Sequence, residues 1–332
     1  MISRETLSID GLHCPIEFPQ EEPFFSLVDY RNNYFTSDDP YKIIEFYNGF
    51  ENRDQLIHWM TERPKGIANI HEVEGDKDII VVIPTADFDG KYARECRENI
   101  FKGLHIVFVE SGGVGDFYFN FAHNCNVGIR KAMEYNPKWV VVSGDDMYKI
   151  DDFNKLTKIL NDLDNRQISV VYAAPSSYHS RTETIGQINK FAHVYYKRNS
   201  KTRILENLKK RFKITFAVAS GRYVARLFFK QFVNIIDFID FVIFSANLIK
   251  EYDSSIYDEH FINHFEDTEL SFRILIEHRP IMISNYNIGS LEGMSLGKNY
   301  ARDLRSVASL AYYSNKYENK FQALEMKRKT AD

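Results

Sequence analysis

The stretch DIIVVIPT, residues 78–85, decides how the chain is read. Ile79 to Ile83 form an unbroken β-branched run that Pro84 stops. A strand with no polar face has to be covered on both sides, as in the parallel sheets of α/β proteins. The neighbouring segments repeat the theme. KYARECRENIF (91–101) has helical character, and HIVFVESGG (105–113) is a second buried strand. FNFAHNCNVGIRKAMEY (119–135) reads as a helix with Gly128 inside it, and WVVVSGDDM (139–147) is a third strand. DDFNKLTKILNDL (151–163) is helical and ISVVYAAP (168–175) is a fourth strand. Strands alternating with helices predict an α/β fold with a mostly parallel sheet. Ligands of such sheets bind beyond the carboxyl ends of the strands. Pro84-Thr85, Glu110-Ser111 and Asp145-Asp146 all fall at those ends.

Composition narrows the function classes. The 332 residues are 44% hydrophobic, enough for a sizeable core, and the formal net charge is −4. A chain of that charge is no obvious polyanion binder, and with no recognised module no nucleic-acid partner is expected. Cys14, Cys96 and Cys125 lie far apart without CxxC spacing. That excludes a zinc ribbon or a disulfide framework and points to a reducing, cytoplasmic compartment. No apolar leader and no membrane-length apolar run is seen. The nearest, residues 233–249, is broken by Asp237 and Asp240, and reads as an interfacial helix or a buried core helix. Residues 197–213 carry eight Lys and Arg against Glu206. That segment is a solvated helix face, or a surface for an anionic acceptor or membrane headgroups, which would make the protein peripheral to the membrane. Residues 1–75 are aromatic, acidic at first and weakly periodic, and form an N-terminal extension. Residues 299–332 form one or two amphipathic C-terminal helices.

Three clusters carry chemistry. Adjacent carboxylates in SGDDM repel one another, and a hard divalent cation, Mg²⁺ or Mn²⁺, relieves that repulsion; the alternative is a solvated turn. In VFVESGG an acid follows a buried strand, where it could accept from a base or ribose. SGGVG is neither GxGxxG nor a phosphate loop. FEDTELSFR (265–273) begins a helix with three acids, which the helix dipole favours, and places Glu269 four residues before Arg273. Either this is a helix start, or one of its carboxylates reacts.

The order of these segments resembles the inverting GT-A glycosyltransferases of the family-2 type. YDEHFINHFEDTELSFR (257–273) is similar to that family's F-D-E-x-F-F-x-x-x-E-D-x-E-L-x-x-R region. IIVVIPT resembles its first strand, NVGIRKA its N-x-G-x-x-x-A helix and VVVSGDDM its metal motif. The resemblance spans residues 78 to about 295. It implies a GT-A, Rossmann-like mixed sheet in a nucleotide-sugar-binding and catalytic domain, residues 76–298. It implies Asp267 as catalytic base with Glu266 beside it, and donor binding by Pro84, Thr85, Glu110, Asn126, Gly128 and Asp145. It also implies a Mn²⁺ or Mg²⁺ ion on Asp146 and Asp145, and acceptor contacts near Ser220 and Gly221. The donor would be a nucleotide sugar, UDP-linked by family habit, and the acceptor a hydroxyl on a glycan, a lipid-linked sugar or a protein. Two positions depart from the pattern: Cys125 stands where many relatives carry Arg, and Ser290 where they often carry a late His. The rival readings are a nucleotidyltransferase and a non-catalytic glycan- or partner-binding relative.

Overall fold

The computed structural model describes residues 27–112, 116–173, 182–184, 204–205, 207–208, 211–212, 234–236, 241–278, 280–291 and 300–329. Three short helices come first: α1 (Leu27–Phe35), α2 (Pro40–Asn48) and α3 (Arg53–Glu62). Asp39 caps α2 by accepting from Tyr41 N, with Pro40 in the first turn, and Asn52 caps α3 through Gln55 N. Strands β1 (Asn69–Val73) and β2 (Asp76–Thr85) follow. Helix α4 (Lys91–Glu95) runs into a π-turn at Cys96–Ile100, and then come β3 (Leu104–Glu110), α5 (Phe121–Met133) and β4 (Trp139–Ser143). The next elements are β5 (Met147–Lys149), α6 (Phe153–Asn161), β6 (Val170–Ala173), β7 (Thr182–Thr184) and β8 (Asn234–Ile236). The chain continues through β9 (Phe241–Ser245), α7 (Ala246–Glu251), α8 (Glu266–Glu277), β10 (Ile281–Ile283), β11 (Ile288–Ser290) and α9 (Tyr300–Lys329).

Seven strands form one mixed sheet in the order β1-β3-β2-β4-β9-β6-β10. Strand β2 pairs parallel with β3 and β4, and β6 pairs parallel with β10. Only β1 and β9 run against the rest. The alternation along β2 explains its unbroken apolar run. Ile80 and Val82 face one core with α5, α7 and α8, while Ile79, Val81 and Ile83 face another with α4 and α6. Both faces of the sheet are therefore covered, as expected of a continuous hydrophobic strand. Gly128 lets α5 lie close to the sheet: a Cβ there would sit 2.3 Å from Val82 Cγ1 and 2.8 Å from Val109 Cγ2.

Two expectations change. The apolar stretch at 233–249 is no single helix: its described part contains β8, then β9 in the middle of the sheet, then α7. Phe241 to Ser245 are buried on both faces, which accounts for an apolar run without helical periodicity. The N-terminal boundary also moves. Strand β1 is part of the main sheet, pairing Asn69 with Glu110 through Val73 with Ile106.

The tail is one helix, and it packs against α2 and α3. Ala301, Leu304, Val307, Ala308 and Ala311 of α9 form a buried stripe against Ile43, Phe46, Leu56 and Trp59 of α2 and α3. The Tyr47 hydroxyl donates to Leu304 O at 2.7 Å and accepts from Ala308 N at 3.1 Å. Within the basic segment, Leu205, Leu208 and Phe212 are buried in this third core, and Arg211 bonds Asn48 Oδ1 and Phe50 O. These positions give the segment an apolar face that packs on the N-terminal helices.

Candidate functional site

The strand order places a switch point between β2 and β4. From β2 the chain crosses to β3 on one side and then returns to β4 on the other, so the two crossovers diverge at the β2–β4 carboxyl ends. Such a divergence opens the crevice in which α/β proteins bind ligands. The Thr85 hydroxyl donates to Asp145 Oδ2 across this gap at 2.8 Å. The π-turn brings Cys96 Sγ to 3.3 Å from the Asp145 backbone carbonyl, so the main chain after β4 is held from a third element. Asp145 and Asp146 are both buried. Leu291 N donates to Asp146 O at 2.9 Å, and β11 pairs antiparallel with β5, placing Ser290 across from Met147. Gly289 leaves room there for the Tyr148 ring, which a Cβ would displace.

At the end of β3, Glu110 is held at both oxygens. Phe88 N donates to Oε1 at 2.8 Å, and His71 Nε2 lies 2.9 Å from Oε2. The Phe88 amide, with the His71 bond, holds this carboxyl below the usual range. The His71 ring stacks on Phe88 with centroids 4.3 Å apart and planes 6° from parallel, and the Arg97 guanidinium lies 4.6 Å from the Phe88 centroid. Next to this group is a recess of about 540 Å³, lined by Glu110, Ser111, Gly112, Ala86, Lys65 and Tyr118 among others. That volume falls within the range of small-molecule pockets, about 300–1,000 Å³.

The third part is the start of α8. Phe265 precedes it in the left-handed region at φ +68°, with no side-chain cap, and its carbonyl accepts from Glu269 N. A left-handed non-glycine residue costs about 1–2 kcal/mol, so the surrounding packing holds this turn. Glu266 is buried, and its Oε2 finds no hydrogen-bond partner. Burial, with the Asp267 charge beside it, pushes the Glu266 carboxyl up to about 8. Asp267 is half-buried. Glu269 is fully buried and does structural work, with Arg273 Nε at 3.1 Å and Lys316 Nζ of α9 at 2.8 Å.

Compared with family models, curated proteins and solved structures, the chain matches none. The geometry itself therefore sorts the candidate residues. Thr85, Glu110, Asp145 and Asp146 lie at the carboxyl ends of the three adjacent strands β3, β2 and β4, or directly after them. Pro84 is buried within β2, paired with Val109, and does not line the recess. Asn126 and Gly128 differ from the donor-binding expectation. The Asn126 amide is buried, donating to Tyr257 O at 2.8 Å and Glu259 Oε1 at 2.9 Å and accepting from Tyr257 N at 3.0 Å. It pins the loop before α8 onto α5, while Gly128 serves helix–sheet packing. Cys125 is fully buried, and burial pushes its thiol up. Ser220, Gly221 and most of the 288–298 loop lie outside the described residues.

Sequence reasoning missed His71, Lys65 and the contact between His123 and Glu259. His71 sits on a five-residue edge strand whose alternation, NIHEV, is too short to stand out. Lys65 Nζ donates to Glu259 O at 2.6 Å, and His123 Nδ1 lies 2.7 Å from Glu259 Oε2. Glu259 thereby gathers α5 and the loop before α8, and its carboxyl is held low despite burial by His123 and Asn126.

Among the described residues, no group of three or more His, Cys, Asp or Glu side chains converges as a metal cage. Asp145 and Asp146 nonetheless fit a Mg²⁺ or Mn²⁺ ion by their donor chemistry. They are two adjacent buried carboxylates, and Mg²⁺ commonly takes one or two protein carboxylates and fills its shell with water and phosphate oxygens. Among the described residues, no helix is long and apolar enough to cross a membrane.

Proposed function

We propose that the chain is an inverting glycosyltransferase of the GT-A type, moving a sugar from a nucleotide-sugar donor to an acceptor hydroxyl. The observation that carries this reading is the Thr85–Asp145 hydrogen bond. It ties the β2 and β4 ends at the switch point, and Ala86, the residue after Thr85, lines the recess together with Glu110. Glu110, oriented by Phe88 N and His71, would accept from the donor's base, with Thr85 and Asp145 toward the ribose. Asp146, with Asp145, would hold a Mn²⁺ or Mg²⁺ ion. Such an ion, when bound, supplies Lewis-acid stabilisation of the departing diphosphate.

The acid pair at α8 supports a division of labour. Two neighbouring carboxyls whose environments differ take different roles. Glu266, buried and raised to about 8, is protonated near neutral pH, which leaves Asp267 to accept the acceptor's proton as its oxygen attacks C1. One displacement inverts the anomeric centre. Ser290, across from Met147 and one residue beyond Asp146, falls beside the carboxylate pair, where relatives of this type often carry His. A UDP-sugar is the favoured donor, and the acceptor would be a glycan, a lipid-linked sugar or a protein hydroxyl.

The test is a screen of nucleotide sugars with and without Mn²⁺, reading release of the nucleoside diphosphate. Metal-dependent release from one donor class is expected. Failure to release or bind any nucleotide sugar under either condition would overturn the reading.

A further inference from the structure

The first turn of α8 carries Glu266 and Asp267 but has no side-chain cap of its own. One face of α9 holds it from outside. Ser309, Tyr312 and Lys316 recur three and four residues apart, and so share that face. Each meets the chain on its way into α8. The Ser309 hydroxyl accepts from Ile262 N at 3.1 Å and donates to Ile262 O at 3.4 Å. The Tyr312 ring packs edge-on against Phe261 with centroids 5.0 Å apart, and its hydroxyl donates to Asp258 Oδ2 at 3.0 Å. Lys316 Nζ donates to Asp258 Oδ2 at 2.7 Å and to Glu269 Oε1 at 2.8 Å. One ammonium group therefore ties a carboxylate of the loop to a carboxylate of α8.

We infer that Lys316 is a positioning residue of the proposed transferase: through Asp258 and Glu269 it fixes the first turn of α8 against the loop before it, and so aims Asp267. The inference rests on the transferase reading, which makes Asp267 the base. Burial gives the link its weight. The Glu269 side chain is fully buried, and those of Asp258 and Lys316 are 13% and 29% exposed. Charges so placed are screened far less than surface pairs. Without the cation, two largely buried carboxylates would face each other, which is strongly unfavourable. Arg273 also bonds Glu269, at 3.1 and 3.2 Å, but from one turn along the same helix; Lys316 carries the tie across to α9. His260 Nδ1 lies 2.8 Å from Asp258 Oδ1, on the side away from Lys316. Despite burial, His260 and Lys316 hold the Asp258 carboxyl well below its usual range, so Lys316 meets it ionised. The scale of the effect follows from geometry, since a misplacement of about 1 Å at a reacting group costs about a hundredfold in rate.

Lys316→Met keeps an unbranched stem and removes the charge, whereas Lys316→Arg keeps the charge. Amide hydrogen exchange on the full chain reads the link without donor or acceptor. In Lys316→Met, residues 256–270 should exchange at least about tenfold faster, while α2, packed on the earlier part of α9, stays at the wild-type rate. Lys316→Arg should stay near wild type in both. With the donor found by screening, kcat of Lys316→Met should fall about tenfold to a hundredfold while the donor KM stays within about twofold, and Lys316→Arg should recover most of the rate. Asp258→Asn removes the other end of the link and should give the same pattern, which decides the matter where Lys316→Met does not fold. If no nucleotide sugar is used, the transferase reading fails, and the exchange result alone decides whether Lys316 fixes α8. Wild-type exchange across 256–270 in a folded Lys316→Met or Asp258→Asn protein overturns the inference. So does faster exchange with an unchanged kcat, or a loss confined to KM.

Discussion

The Thr85 hydroxyl and Asp145 Oδ2 stand 2.8 Å apart, joining the ends of two adjacent parallel strands at the point where the chain's crossovers diverge. Both side chains are buried, so the bond is made away from competing water. It orients one carboxylate of an adjacent buried pair.

Thr85→Val keeps the strand's shape and removes this bond. Loss of a buried hydrogen bond to a charged group costs about 1.5–3 kcal/mol. Urea denaturation should show a destabilisation of that order, and calorimetry should show weaker Mn²⁺-dependent binding of UDP. Wild-type UDP binding in a folded Thr85→Val protein would remove Thr85 from the site.

Gly128→Ala tests packing rather than chemistry. The added methyl would meet Val82 and Val109 well inside contact distance. Overpacking of this kind costs about 1–3 kcal/mol, read as a lower midpoint in chemical denaturation. UDP affinity, measured on the folded fraction, should stay near wild type.

Asn126→Ala should be worse for stability. It strands the Tyr257 N–H and C=O, both now satisfied by one amide. The expected cost is about 2–4 kcal/mol, with faster proteolysis of the 252–265 segment.

Glu266 sets a pH dependence. Its carboxyl is raised from an ordinary 4.5 to about 8 in the folded protein. The folded state therefore holds this proton more tightly than the unfolded chain. The stabilisation is fully present below about 4.5 and is lost as pH rises through about 8. Glu266→Gln removes the titration. Its stability relative to wild type should improve progressively between pH 5 and 8, by roughly 1–4 kcal/mol in all, and level off above. Denaturation curves across that range check it; a difference that does not change with pH would contradict the raised carboxyl.

The sheet was legible in the sequence because its central strands are buried on both faces and announce themselves as unbroken apolar runs. The strand-end acids were legible for the same reason, since each follows such a run. Strand β9 was not, because its apolar residues merge with those of α7 into one stretch whose length suggested a helix. Edge strand β1 was hidden by its shortness, and with it His71, the partner of Glu110. The burial of Glu266, beside a half-buried Asp267, depends on packing that two adjacent acids in a sequence do not reveal. Asn126 matched a family pattern, yet its amide serves the loop before α8, and only the fold distinguishes those roles.

The central claim is that Asp267 is the base of a sugar transfer. Its most direct measurement is the single-turnover transfer rate of Asp267→Asn with the donor found by screening, alongside calorimetric binding of that donor. The account predicts that transfer falls by at least about a hundredfold, as removal of a general base does, while donor affinity stays within about twofold. Transfer at the wild-type rate by a folded Asp267→Asn protein would contradict it.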